Sequence, residues 1–529
     1  MRQRCWVGLA LVLGGAGCKG GGATSASATG NDTGNGSTTA VGGPTGGLPP
    51  AGDVRAFPEA QGFGAQASGG RGGRVIHVTT LAATGAGSLQ DAIDQPGARI
   101  IVFDVSGVID DVVIISRGDV TIAGHSSPGG ITVRGLLIQG DVVCESPSAP
   151  DCPLPTTFPE NFVIRHLRVR PAGFDDGDGA GDGIRLHHAR NGVLDHISVG
   201  AAADEAAQVS FASDVTLQNL LLAETYGEHI EFGGMLMNYS DPARGFPLAR
   251  LSIHHNTWNR IFGRLPELSR ENVPDPGVMD LELSNNLLWD PERPIYVASA
   301  NPQNNDPASY RLNFVGNYTA QDPALAQCYG IMAIEMGPDA ARPSFTAQSN
   351  TYFADNLHNR VPDRRDYQLI YNANDFCAAA GTGDLPWPSA AKPPPWAVTS
   401  RHEFPPITYT ASGEPLLDYM VGNAGAFSRD AMDRRLMAAV AARKFDAAPL
   451  PGKPAPDALL PAFQGPAPAP PADTDRDGMP DAWESAHGLD AATDDSAGLQ
   501  LSMGASGVEG YTNVEVYLNE LANLRVTGK

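Results

Sequence analysis

The chain has no block of lysine or arginine anywhere in its 529 residues, and its formal net charge is −23. That balance argues against nucleic acid or anionic membrane as a partner. A polyanion would have to be held by a local basic patch or a bridging cation. The sequence also has no CxxC pair, which removes the usual cysteine metal signatures. Its apolar N-terminal run is too short to span a bilayer as a mature helix. Between about residue 74 and residue 400 there is little 3.6-residue periodicity, so a helical bundle is not expected.

What is present falls into five stretches. Residues 1–18, "MRQRCWVGLALVLGGAGC", combine Arg2 and Arg4 with an apolar run and small residues, an export signal. The run ends at Cys18 as in a lipoprotein signal, which makes Cys18 the candidate lipidated residue. Gly15 stands where such signals carry leucine, and plain secretion is the alternative. Residues 19–53 form a Gly/Ser/Thr tether unable to pack a core. A central domain is expected over 54–450, a stiff Pro/Ala linker over 451–472 and a small module over 473–522. The mature chain keeps Cys144, Cys152, Cys328 and Cys377. An even number in an exported chain predicts two disulfides, most simply Cys144–Cys152 and Cys328–Cys377, though four cysteines allow three pairings.

The central domain is a series of short β-rich segments separated by Gly/Asp/Pro turns. Four segments align on an asparagine: "LSIHHN" at Asn256, "LELSNN" at Asn286, "LNFVGN" at Asn317 and "FTAQSN" at Asn350. The steps of 30, 31 and 33 residues (286−256, 317−286, 350−317) predict stacked coils. With no helices between the strands, a parallel β-helix fits better than a sandwich. The asparagines are read as a structural corner ladder, bonding to each other and to bent backbone. Leu416–Val421 and Ala431–Ala442 carry helical spacing, with a start between Ser428 and Asp433, and are expected to form a helical cap.

Several motifs in order resemble the secreted polysaccharide lyases of family one, the pectate lyases. They run from "AFPEAQGFGAQASGGRGGRVIHVTTLAATGAGSLQDAID" through "VTIAGHSSPGGITVRG", "GDGIRLHHARNGVLDHISV", "DEAAQVS" and "SIHHNTWNRIFGRLPEL" to "NAGAFSRDAMDRR". The resemblance implies a right-handed parallel β-helix, so that the whole is all-β with a small C-terminal α-helical calcium-binding module. It also implies Ca2+ dependence and cleavage of polygalacturonate, an acidic polysaccharide, by β-elimination. Removing the C5 proton of a uronate needs a divalent cation on the neighbouring carboxylate. Calcium, with its several hard oxygen ligands, suits that task.

Matched residue by residue, Asp182 and Asp204 fall at the calcium carboxylates, against the alternative of solvated turn acids. The family often has another acid where this chain has Gly200. Glu205, Glu224, or Asp175, Asp176 and Asp178 are the candidates to compensate. Arg264 matches the family's proposed base, with a surface arginine paired to Glu267 as the plainer reading. Glu267 stands where a substrate-holding arginine is common, and a substrate-binding lysine near "GEHIEFGG" is missing. His229 and Arg260 are the substitute substrate contacts. Asp195 and His196 are read as a corner network.

The segment "DTDRDGMPDAWE" satisfies D-x-D-x-D-G-x5-E, an EF-hand-like calcium loop. Asp473, Asp475, Asp477, the Met479 backbone, Asp481 and Glu484 take the ligand positions, and Gly478 the sharp turn. The related "ASGVEGYTNVEVYLNEL" lacks leading aspartates, so a second loop of this kind is not expected. The sequence reading is therefore a monomeric, calcium-dependent uronan lyase, either secreted or anchored at the outer membrane. Two alternatives remain. One is a catalytically impaired β-helix that binds acidic polysaccharide at the cell surface. The other is a polygalacturonase, although the clustered aspartate pairs of that mechanism are not evident.

Overall fold

Apolar residues one coil apart in sequence stack directly on one another, and this stacking builds the molecule. In the computed structural model Ile101, Ile122, Ile164, Leu194, Leu217, Ile253, Leu283, Phe314 and Phe353 occupy one continuous register line through parallel strands. The structure describes residues 54–528 apart from 143–151, 172–180, 226–232, 262, 270–276, 292–294, 298–308, 324–330, 335–347, 373–391 and 446–466. Within them, three parallel sheets of eleven, nine and nine strands run the length of a right-handed parallel β-helix. Side chains alternate about each strand, so in Leu287–Trp289 only Leu288 enters the main core, while Leu287 and Trp289 face outward.

From His166 onward the described coils turn at a residue in the left-handed conformation. His166, His196, Asn219, His255, Asn285 and Asp355 take φ of 58, 52, 57, 54, 54 and 55° at one corner. The residue that follows carries the ladder. Asn256 donates Nδ2–H to the Leu217 carbonyl (2.9 Å), Asn286 to Ile253 (2.8 Å) and Asn317 to Leu283 (2.9 Å). Each side-chain oxygen accepts from the backbone N–H one coil earlier: Leu220 to Asn256, Asn256 to Asn286, Asn286 to Asn317. The fourth rung is Asn356, not Asn350 as the sequence spacing predicts. Asn317 N–H donates to Asn356 Oδ1 (3.1 Å), while Asn350 only begins a strand paired with Arg311.

The first coil is closed by α1 (Leu89–Asp94), N-capped by Ser88, whose Leu89, Ala92 and Ile93 enter the core. The expected helical cap forms as α2 (Glu414–Asn423) and α3 (Ala431–Ala441), but lies along a flank. Leu416, Leu417, Met420, Met432, Leu436 and Val440 cover the outward Leu221, Ala223, Leu287, Trp289 and Ala320. Asp430 is the N-cap of α3, and with Asp433 it meets the fully buried Arg170 at 2.8 and 2.9 Å. The C-terminal module consists of α4 (Asp481–His487), α5 (Ser502–Ser506) and α6 (Asn513–Thr527), five residues longer than predicted (527−522). It packs on the outer face of the first coils, with Met479, Val514 and Leu518 against Ile100, Val102 and Ala123.

Candidate active site

Parallel register places the predicted residues on one flank, just ahead of successive strands of a nine-stranded sheet. Ile184, Ala207 and Met235 pair in line, so Asp182, Glu205 and Gly233, each two residues earlier, occupy one position on three coils. Arg264 comes from the next coil, where the Gly234 N–H donates to the Gly263 carbonyl at 3.0 Å. Gly234 is required: a Cβ there would lie 1.9 Å from the Arg264 carbonyl oxygen. With no side chain at Gly233, Arg264 reaches Glu205 across it.

Asp182, Asp204 and Glu205 each bring one carboxylate oxygen to within 4.8 Å of the others. Asp182 and Glu205 are buried. Asp182 accepts the Glu205 backbone N–H at 3.2 Å and the Arg185 guanidinium at 3.1 and 3.0 Å. Burial pushes its carboxyl up to about 6; Arg185 opposes the rise and Asp204 adds to it. The cluster holds more negative charge than the neighbouring cations offset, which is the condition a divalent cation satisfies. Arg264 is bracketed by two glutamates, with Nη1 ion-paired to Glu205 Oε1 and Nε 3.1 Å from Glu267 Oε2.

Other candidates sit elsewhere. Of the proposed compensating acids, Glu205 joins the cluster. Glu224 instead accepts from Arg435 at 3.0 and 2.7 Å and lies 3.3 Å from Arg260. Arg260 is buried at a corner between Glu224 and Asp290, the latter 3.8 Å away. All three take left-handed backbone on successive coils. An acid at position 200 would have to displace Met432, because a Cβ on Gly200 would lie 2.4 Å from its Sδ. His229, Asp175, Asp176, Asp178, Cys18, Cys144, Cys328 and Cys377 lie outside the described residues, and with them both predicted disulfides; Cys152 is buried. Asp195 is fully buried and accepts from Arg165 (2.8 Å), Gln218 (3.0 Å) and Asn219 (3.2 Å), beside His196 Nδ1 (2.8 Å). Burial opposes its ionisation, yet His196 and Arg165 hold the carboxyl well below the usual range. This is the corner network expected of the pair.

In the C-terminal loop Asp473, Asp475 and Asp477 form one carboxylate triad, and Asp477, Glu484 and Asp495 a second. Asp495 has no place in the D-x-D-x-D-G-x5-E pattern, so sequence reading missed it. Asp481, expected at loop position nine, turns instead to Thr474, accepting from its N–H (2.7 Å) and Oγ1 (2.8 Å). The Met479 side chain is fully buried against the β-helix.

No family model matches the chain. The chain is 30% identical over 476 residues to the probable pectate lyase C of Aspergillus flavus, covering 88% of this chain and 94% of that protein. The probable pectate lyase C of Aspergillus oryzae is likewise 30% identical over 476 residues, at the same coverage. Among solved structures, a pectate lyase from Acidovorax avenae subsp citrulli is 14% identical, with a TM-score of 0.41, covering 74% of this chain and 98% of that one. On the strength of its sequence relatives, whose length it spans almost completely, the chain belongs to the pectate lyase family.

Proposed function

We propose that the protein cleaves polygalacturonate or a closely related uronan by calcium-dependent β-elimination, with Arg264 beside the reacting carbon. The observation that carries this reading is the convergence of Asp182, Asp204, Glu205 and Arg264 on one flank from separate coils. The three carboxylates would hold the cation, leaving further coordination positions for substrate oxygens. When bound, calcium supplies the positive charge that makes the C5 proton of a uronate acidic. In the reaction that proton passes from C5 to the base at Arg264, the C4–O bond breaks with its electron pair going to the departing oxygen, which takes a proton from water, and a 4,5-unsaturated end remains.

A guanidinium in water keeps its proton over the whole range proteins experience. Arg264 approaches a base only where its carboxylate partners are engaged elsewhere. Glu205 meets that condition, since a carboxylate serving as a cation ligand is no longer a full counter-ion to Arg264. Glu267 does not, and its position supports a second reading: a β-helix that binds acidic polysaccharide with little turnover. An extracellular site of action, export through residues 1–18, a lipid anchor on Cys18, disulfides and a monomeric state belong to the same proposal.

The test incubates purified protein with polygalacturonate, in calcium or in chelator, and follows the ultraviolet absorbance of the unsaturated product. Calcium-dependent absorbance that disappears in Arg264→Ala, with circular dichroism unchanged, is the expected result. New reducing ends without absorbance would identify a hydrolase, and binding without either product would favour the second reading.

A further inference from the structure

The acidic loop near the C-terminus lies far along the chain from the lyase residues, and the lyase reading makes no use of it. Its two carboxylate triads share Asp477, so five carboxylates converge on one small volume. Glu484 is fully buried, and neither of its carboxylate oxygens meets a protein donor. Asp473 Oδ1 and Asp475 Oδ2 are likewise buried and unpartnered. Buried carboxylates without donors are costly unless a cation completes them. The loop's own arginine does not, because Arg476 turns outward to Asp104, 3.4 Å away.

The loop is also joined to the β-helix through Asp473, Arg476, Gly478 and Met479. His77, on the strand Arg74–Val78, donates from Nδ1 to Asp104 Oδ1 (2.8 Å) and from Nε2 to the Arg476 carbonyl (3.1 Å), and the same Nε2 lies 3.6 Å from Asp473 Oδ2. Gly478 makes the sharp turn at φ 90°, and a Cβ there would lie 2.8 Å from Val75. Met479, the next residue, is buried among Ile100, Val102 and Ala123. On the other side, Asp495 N–H donates to Asp477 Oδ2 at 3.3 Å, and the Asn513 side chain at the start of α6 donates to the Asp495 carbonyl at 2.9 Å. The segment that resembles a second calcium loop therefore supplies support to the first. Its Glu515 is engaged with Arg71 of the β-helix at 2.9 Å.

We propose that Asp495 completes a five-carboxylate calcium site with Asp473, Asp475, Asp477 and Glu484, and that this site clamps the C-terminal helices onto the first coils of the β-helix. The ion orders a loop that is itself half of the interface, so filling the site stabilises strands far from it in sequence. Val75 of the strand Arg74–Val78, at the end of its sheet, packs against the same apolar cluster and is kept covered by the same event.

The experiment measures bound calcium per full-length chain by equilibrium dialysis, and hydrogen exchange in peptides covering residues 74–103, with calcium chloride as the only added ligand. In wild type, calcium should slow exchange in those peptides. Glu484→Gln and Asp495→Asn should each lose one bound ion and that protection, whereas Asp182→Asn should lose a different ion and keep it. Should Glu484→Gln fail to fold, wild type compared in calcium and in chelator still reads the protection. Unchanged calcium binding in Asp495→Asn removes Asp495 from the site. Calcium protection confined to residues 473–528 in wild type overturns the clamp, and neither outcome touches the lyase assignment.

Discussion

Asp182→Asn separates the cost of the carboxylates at the candidate site from their proposed use. Folding moves the Asp182 carboxyl from 3.8 to about 6, with burial as the largest cause. The folded state therefore binds this proton more tightly than the unfolded chain does. The sign follows: the contribution is favourable below the ordinary value and is lost as pH rises towards 6. Two units at 1.36 kcal/mol each give about 3 kcal/mol as an upper figure. In chelator, wild type should thus lose stability between about pH 4 and pH 6 relative to Asp182→Asn. Asparagine cannot ionise, but it meets two donors, the Glu205 N–H and the Arg185 guanidinium, so about 1 kcal/mol of the gain is offset. The assay is urea denaturation across this pH range for both proteins in chelator. Only the difference curve matters, since burial also raises Asp433 to about 6 and Asp477 and Glu484 to about 7. With calcium present the order should reverse, and affinity should fall as pH drops through 6, where the proton competes for the same oxygen. A flat difference curve, or full calcium-dependent product formation by Asp182→Asn, would refute the assignment of this cluster.

Three other perturbations follow from particular contacts. Glu267→Gln removes a negative charge beside Arg264, so KM for polygalacturonate should fall about fivefold at low salt, an effect of order 1 kcal/mol, and lose part of its salt dependence; a higher KM contradicts the reading. Gly200→Ala should cost about 1–3 kcal/mol by overpacking against Met432, yet become neutral or stabilising in a Met432→Ala background; thermal denaturation of the double-mutant cycle measures the coupling, and additive effects would contradict it. Asn286→Ala strips partners from the buried Asn256 N–H and Ile253 carbonyl and should cost about 2–6 kcal/mol, at 1–3 kcal/mol for each orphaned group, read from chemical denaturation.

The coil was legible in the sequence because each turn repeats the same local chemistry. Asn256, Asn286 and Asn317 do one job, so their spacing carries it. The pattern failed at the fourth rung because that coil is longer, 39 residues from Asn317 to Asn356, and Asn350 happens to close a similar phrase at the expected distance. The proposal of Asp182, Asp204 and Arg264 rests on matched motifs. Glu205, adjacent to Asp204, could be chosen over Glu224 only from the pairing of Ile184 with Ala207, which lines Glu205 up with Asp182.

The coil offered a signal against Arg260 as well. It stands four residues after the ladder position Asn256, just as Glu224 follows Leu220 and Asp290 follows Asn286, and all three take the same left-handed backbone. In a solenoid, a polar residue that recurs in step with the coil serves the corner, where its neighbours above and below satisfy it. The acids at Asp182 and Glu205 give way on the next coil to Gly233, and then to the Gly263–Arg264 turn. The register that stacks like on like elsewhere here opens a gap, and Arg264 crosses that gap to reach Glu205. It is this break in repetition, more than any single residue, that marks the flank as the place where a ligand is expected to bind.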